Sequence, residues 1–203
     1  MPVPVRDSEL VQIVDIALTD AALRAGPMLA CRPGCTQCCH GAFAINALDA
    51  ARLQSGMQSL ETADPHTAEA IRDRARTWIA EHASDFPGNL DTGILGTCEE
   101  DQARFEDFAN DAPCPALNPQ TGFCDVYEFR PMTCRVFGPP VRVAGGEGLA
   151  CCELCFIGAS PDEIAACEMP LPLEFEEQLL AEMNESSETS VFRKTIVAFA
   201  LLR

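Results

Sequence analysis

The stretch CRPGCTQCCH, residues 31–40, places four cysteines and a histidine within ten residues. Such short spacings let several thiolate sulfurs reach one centre from a single loop, and thiolate sulfur suits zinc and iron–sulfur clusters. Taken alone, the stretch also allows a disulfide knot, a redox pair or a catalytic cluster. The other cysteines and the rest of the chain separate these alternatives.

Two further cysteine groups lie downstream. Cys114, Cys124 and Cys134 have nine residues between neighbours, and a C-C-x2-C pattern occupies residues 151–155. The predicted metal ligands are the ten cysteines of the three groups: Cys31, Cys35, Cys38, Cys39, Cys114, Cys124, Cys134, Cys151, Cys152 and Cys155. Ten thiols exceed the needs of one four-coordinate ion, which favours a polynuclear cluster or two neighbouring sites. A single structural zinc stays open if most of these cysteines only pack, and the isolated Cys98 and Cys167 are expected to be core or accessory thiols.

The adjacent pair Cys38-Cys39 adds a geometric argument. Neighbouring side chains point to opposite faces of a strand and diverge by about 100° on a helix. We therefore expect that one of the two packs structurally, or that they face different metal atoms. The second adjacent pair, Cys151-Cys152, raises the same question.

The N-terminus has no basic start, no clean apolar run and no small-residue cleavage site, so we predict no signal peptide and a cytoplasmic protein. Cytosolic thiols stay reduced, which argues against disulfides and leaves metal binding as the main use of the twelve cysteines. Chance clustering of core cysteines is the remaining alternative. The C-terminal TIVAFALLR is too short to span a bilayer.

The net charge of −17 repels phosphate backbones and anionic lipid. We therefore expect neither nucleic acid nor a membrane as a partner. The expected partners are metal ions, with a protein or small-molecule substrate if the chain is an enzyme.

Apolar periodicity and capping signals predict a mostly α protein, with one domain over residues 1–203 whose helices surround a loop-built, cysteine-rich metal site. The motif region is 31–155, and C-terminal helices fill 160–203. The predicted helices cover residues 8–24, 46–58, 65–82, 99–110, 173–183 and 190–202, with a short one opening at Ser160-Pro161. Residues 140–143 are expected to be extended, and DFPGNLDTGILG, residues 85–96, is expected to be a loop.

CPALNPQTGFCDVYEFRPMTCRVFG, residues 114–138, together with GCTQCC, residues 34–39, resembles the YkgJ-type cysteine-cluster family of zinc- or iron-chelating domains. That family pairs C-x3-C-x2-CC with a later C-P-x-L…G-x-C-x-x-Y-x-x-R-P-x-x-C-R. The matching residues are Cys114-Pro115-Ala116-Leu117, Gly122-Phe123-Cys124, Tyr127, Arg130-Pro131 and Cys134-Arg135. The resemblance implies a metal-chelating domain with cysteines of both halves in one site. His40 and the doubled Cys151-Cys152 depart from the pattern, and His40 is an additional candidate ligand.

The family also includes flagellin lysine N-methylases, which are associated with an iron–sulfur cluster and methyl transfer from S-adenosylmethionine (SAM). The resemblance thus implies a 4Fe–4S cluster or zinc as cofactor, with SAM as a further candidate. C-x3-C-x2-C is also the radical-SAM spacing, and AGGEG, residues 144–148, resembles the glycine-rich SAM loop, but the chain shows none of the β/α repeats of those enzymes.

Arg130, Arg135 and Tyr127 are the predicted cofactor-binding residues. Arginines beside thiolates lower thiol pKa values and offset cluster charge, and they can also hold a carboxylate of a substrate or of SAM. The alternative is an ion pair with Glu128 or Asp125. Tyr127 either donates a hydrogen bond to a cluster sulfur or packs.

Three functions stay open on these grounds. The first is an iron–sulfur or other multi-iron protein, which includes a SAM-dependent or redox enzyme. The second is a zinc-binding structural or interaction module, and the third is a metal carrier without catalysis.

Overall fold

The computed structural model describes residues 2–32, 34–143, 148–185 and 193–203. The chain divides into two compact units. The large unit comprises Met1–Val3, Gly34–Met132 and Leu180–Arg203, and the small unit comprises Pro4–Pro33 and Thr133–Leu179. That residues 1–203 form one domain stays a prediction.

The described residues are mostly helical, which confirms the predicted fold class. The α-helices are α1 (Asp7–Ala25), α2 (Ala47–Ala63), α3 (Pro65–His82), α4 (Glu99–Glu106), α5 (Met132–Val136), α6 (Pro161–Ala166), α7 (Leu173–Glu185) and α8 (Val197–Ala200). The strands are β1 (Ala44–Ile45), β2 (Gly88–Asn89), β3 (Ile94–Leu95), β4 (Val141–Arg142), β5 (Leu149–Ala150) and β6 (Thr195–Ile196). They form three two-stranded antiparallel sheets, ordered β1-β6, β2-β3 and β4-β5.

The core of the large unit lies between α2, α3 and α8. The two long helices begin where side-chain caps predict, since Asn46 accepts a hydrogen bond from the backbone of Asp49 (3.0 Å) and Asp64 from that of Thr67 (3.1 Å). The buried face of α3 presents Ala68, Ile71, Ala75 and Trp78 to this core. This stripe recurs every three or four residues, which is why the sequence located α3 correctly.

The predicted helix over 190–202 is wrong where the structure describes it. Thr195 and Ile196 form β6 and pair with β1, and only Val197–Ala200 is helical. Both strand residues are β-branched and nearly fully buried, so pairing with β1 overrides the helical spacing. Phe192, assigned to one face of that helix, lies outside the described residues.

Two smaller predictions were also corrected. The predicted loop 85–96 contains the β2–β3 hairpin. Helix α4 ends at Glu106 instead of Asn110, and Ala109 then adopts a left-handed φ of 52° that a helix cannot accommodate.

The small unit is built on α1. The Arg24 guanidinium donates to the backbone carbonyls of Ala166 and Glu168, which fixes the end of α6 against this helix. Helix α6 begins in a capping box between Ser160 and Glu163, and the predicted extended piece becomes β4, paired with β5. An apolar cluster contains Ala25, Cys152, Cys155, Phe156 and Cys167.

None of the described helices combines the length and the apolar character that crossing a membrane requires.

Candidate metal-binding thiol groups

The adjacent cysteines Cys38 and Cys39 lie in a short 3-10 turn over Gln37–Cys39. The Thr36 carbonyl accepts hydrogen bonds from the Cys39 backbone (2.8 Å) and from His40 Nδ1 (3.0 Å). Within this turn the thiols of Cys38 and Cys39 interact, and each changes the pKa of the other. A 3-10 turn follows neither the strand nor the helix geometry from which the argument about this pair was drawn. That one of the two packs, or that they face different metal atoms, stays a prediction.

Backbone pairing joins this turn to the second cysteine group within the large unit. The Cys114 amide donates to the Cys39 carbonyl (2.7 Å), and the Gly41 amide donates to the Ala112 carbonyl (2.9 Å). His40 and Pro113 form an antiparallel bridge at the same place. Residues separated by more than 70 positions are thus held in register.

A tight loop then returns the chain to Cys124. Leu117 and Cys124 form an antiparallel bridge, the Leu117 amide donates to the Cys114 carbonyl (2.9 Å), and the Asp125 amide donates to the Ala116 carbonyl (2.9 Å). Gly122 turns this loop with a φ of 72°, a conformation that favours glycine. Four thiols, those of Cys38, Cys39, Cys114 and Cys124, thus form what we call the large-unit thiol group.

The pKa values of these thiols depend on one another. The hydrogen bond from Cys39 lowers the pKa of the Cys38 thiol to about 6, and donating that bond raises the pKa of Cys39. Burial raises the pKa of Cys114 to about 12 and also raises that of Cys124. Cys114 and Cys124 raise the pKa of Cys39 further, because like charges repel. A cation is therefore needed to hold these thiols together as thiolates.

Arg130 supplies positive charge at the large-unit thiol group. Its guanidinium lies 3.9 Å from the centre of the Tyr127 ring and donates to the Tyr127 carbonyl (2.9 Å). The charge favours the anionic forms of both Cys38 and Cys124. It adds to the lowering of the Cys38 pKa and offsets part of the rise that burial causes in the pKa of Cys124. The Tyr127 ring thus contacts Arg130, and Tyr127 is 56% exposed.

Helix α2 anchors the segment that carries Arg130. The Phe129 ring lies against Gly56, where a Cβ would come within 2.5 Å of the ring carbon Cγ. The Asp49 carboxylate accepts from the Met132 amide (2.8 Å) and from the Arg52 guanidinium (2.5 Å). The backbone on both sides of Arg130 is therefore fixed.

Arg74 contacts the loop that carries Cys114 and Cys124, and sequence reasoning did not single it out. From α3 it donates to the Pro115 carbonyl (2.8 Å) and to Asp125 (2.7 Å), the neighbours of Cys114 and Cys124. It also favours the thiolate of Cys114. The available signal was its place beside Ile71 on the buried stripe of α3, where a charged side chain is unusual.

Five predicted ligands lie in the small unit. They are Cys31, Cys134, Cys151, Cys152 and Cys155, whereas Cys35 lies half-buried in the large unit. Cys152 and Cys155 flank a turn in which the Cys155 amide donates to the Cys152 carbonyl (2.9 Å). The Ala30 amide donates to Cys155 Sγ (3.3 Å). The Cys152 amide donates to the Gly138 carbonyl (3.2 Å), and the Cys31 side chain packs on Gly138.

Arg135 pairs with a residue that the sequence analysis did not consider. Its guanidinium donates to both carboxylate oxygens of Asp15 on α1 (2.7 and 2.9 Å), and the side chain is buried. Asp125, the ion-pair partner considered for the arginines, binds Arg74 instead. Arg135 therefore holds α5 to α1 within the small unit.

The residues present fit zinc or iron in their donor chemistry. All twelve cysteines are thiols, and sulfur ligands select zinc, iron and iron–sulfur clusters. In the ranges that the structure describes, no three His, Cys, Asp or Glu side chains are arranged so that they could hold a metal ion. Residues 144–147 of the glycine-rich AGGEG segment lie outside the described residues.

A family model named CxxCxxCC, "Putative zinc- or iron-chelating domain", matches residues 30–155, more than half of the chain. The chain belongs to the CxxCxxCC family. The name spells two residues between its first two cysteines, whereas this chain has three between Cys31 and Cys35. No curated protein and no solved structure matches the chain.

Proposed function

We propose that this CxxCxxCC protein binds one zinc or iron ion through the thiolates of the large-unit thiol group. The observation that carries the proposal is the backbone hydrogen bond from Cys114 to Cys39, which holds the turn of Cys38 and Cys39 beside the second cysteine group. Four thiolates complete a tetrahedral coordination sphere for zinc.

The interaction between the Cys38 and Cys39 thiols favours a single ion. With zinc–sulfur bonds of about 2.3 Å, neighbouring sulfurs of a tetrahedral site lie about 3.8 Å apart, so two thiols that interact directly suit one ion. In a 4Fe–4S cluster each thiolate binds a different iron, which requires more widely spaced sulfurs. A closed set of four thiolates is also typical of structural zinc sites, which do not need an open position for substrate.

An iron–sulfur cluster is the second candidate. The observation in its favour is the surplus of thiols, ten at ligand-like spacing. Redox or SAM-dependent chemistry would follow from such a cluster and stays a prediction of the sequence. For either metal we infer a reducing compartment such as the cytoplasm, where thiolate ligands persist.

Metal analysis and absorption of the anaerobically purified chain test the proposal. We expect bound zinc, or a single iron, without the broad absorption near about 400 nm that iron–sulfur clusters give. The variant Cys38→Ser/Cys114→Ser should lose this metal. Cys98→Ser is the control, because the Cys98 thiol is exposed and donates to Asp101 outside the group.

Two results would contradict the proposal. One is a chain that binds no metal, and the other is full retention of metal in Cys38→Ser/Cys114→Ser. A brown protein with the cluster absorption would select the second candidate instead.

A further inference from the structure

A buried carboxylate on α2 reaches the segment that follows Arg130. Asp49 is 2% exposed, and its Oδ1 accepts hydrogen bonds from the Met132 amide (2.8 Å) and from Arg52 Nη1 (2.5 Å). Arg52 is 3% exposed, so the ion pair lies almost entirely out of solvent. Apolar side chains in place of such a pair often cost no stability, so stability alone does not explain why the pair is there. Its bond to Met132, 83 positions along the chain, points to a role beyond α2.

The backbone between Met132 and Arg130 is stiff. Pro131 has a locked φ, and Arg130 before it has an extended conformation (φ −60°, ψ 145°), which a residue preceding proline favours. On the other side of Arg130, the Phe129 ring lies against Gly56 of α2. Helix α2 therefore holds the backbone on both sides of Arg130, and a shift of Met132 would move Arg130 with it.

The side chain of Arg130 transmits this position to the thiols. The residue is 8% exposed, and its guanidinium lies over the Tyr127 ring and donates to the Tyr127 carbonyl. From this place its charge favours the anionic forms of Cys38 and Cys124. A displaced backbone would carry the charge away from both thiols, and charge interactions weaken with distance. The carboxylate of Asp49 thus reaches the thiol group through Arg130.

We propose that Asp49 is a positioning residue that keeps Arg130 at the large-unit thiol group. The inference rests on the proposed function, because the charge of Arg130 then stabilises thiolates that bind a metal ion. Residues that orient or balance the ligands of a metal site change its affinity by about tenfold to a hundredfold. Asp49 lies outside the cysteine motifs, so cysteine spacing gives no indication of this role.

Zinc affinity, measured by competition with a chromophoric chelator, tests the proposal in a double-mutant cycle. The pair variant Asp49→Ala/Arg52→Met removes both buried charges together, because a single one left behind would destabilise the fold. The pair variant should bind zinc at least about tenfold more weakly than the wild type. In the Arg130→Met background the same two substitutions should change the affinity by less than about twofold, because the residue through which they act is gone.

A matched control is the more exposed ion pair between Glu61 of α2 and Arg72 of α3 (2.8 Å). Glu61→Ala/Arg72→Met should leave the zinc affinity within about twofold of the wild type. Wild-type affinity in the pair variant would overturn the proposal. An equal loss of affinity with and without Arg130 would also overturn it, since independent effects add and a positioning effect does not.

Amide hydrogen exchange of the wild type, followed by NMR, needs no variant. Met132 is the first residue of α5, where an amide has no partner within its own helix, so its acceptor is the Asp49 carboxylate. We expect this amide to exchange slowly, as amides in the middle of α2 do. Free exchange at Met132 would overturn the positioning role. If the wild type binds no zinc, the proposed function fails, and the exchange rate still decides whether Asp49 holds this segment.

Discussion

At the scale of single residues, the 3-10 turn that holds Cys38 and Cys39 bears most on the expected chemistry. Divergence of the pair was the strongest argument from sequence for more than one metal atom. The 3-10 turn follows neither of the geometries behind that argument, and within it the two thiols change each other's pKa. The proposed single ion uses both. The cysteines themselves were predictable because ligand spacing is visible along the chain, but the direction of each sulfur depends on a turn that spacing does not specify.

Arg130 gives a prediction at this scale. Its buried guanidinium offsets thiolate charge near Cys38 and Cys124, so Arg130→Met should weaken zinc binding by about tenfold to a hundredfold, the usual effect of removing an outer-shell partner. Competition with a chromophoric chelator measures the affinity. Arg130→Lys keeps the charge and should recover most of the loss, and equal affinities of the wild type and Arg130→Met would contradict this role.

At the scale of secondary-structure elements, α3 links the core to the metal ligands. Its apolar face was predictable from periodicity, as was its cap at Asp64. The role of Arg74 was not, because its partner Asp125 is 51 positions away and nothing in a single sequence pairs the two. The same limit explains β6, whose strand conformation comes from pairing with distant β1.

Replacing Arg74 tests this link. Arg74→Met leaves Asp125 and the Pro115 carbonyl without their guanidinium donor, so it should lower the free energy of unfolding by about 1–3 kcal/mol. Urea unfolding followed by the fluorescence of Trp78, the one tryptophan, reports on the large unit.

A matched control lies on the same helix. Arg76 binds Glu69 and Asp73, both more than half exposed, so Arg76→Met should change the stability by less than about 1 kcal/mol. If the two variants are equally stable, the bonds of Arg74 do not support the cysteine loop.

At the scale of the whole molecule, the cysteines divide between the compact units. The sequence indicated one shared site, because the motif of the family runs through both halves of residues 31–155. The structure joins Cys38 and Cys39 to Cys114 and Cys124 in the large unit, whereas Cys31, Cys151, Cys152 and Cys155 belong to the small unit. That Cys31 and Cys38 belong to different units could not be predicted, because only seven positions separate them.

X-ray absorption at the metal edge of the loaded chain tests the central claim most directly. A tetrathiolate ion predicts four sulfur neighbours at about 2.3 Å and no neighbouring metal atom. Cys38→Ser should lower the sulfur count at the remaining metal or remove the metal. A first shell dominated by nitrogen and oxygen, or a second metal atom beside the first, would contradict the account.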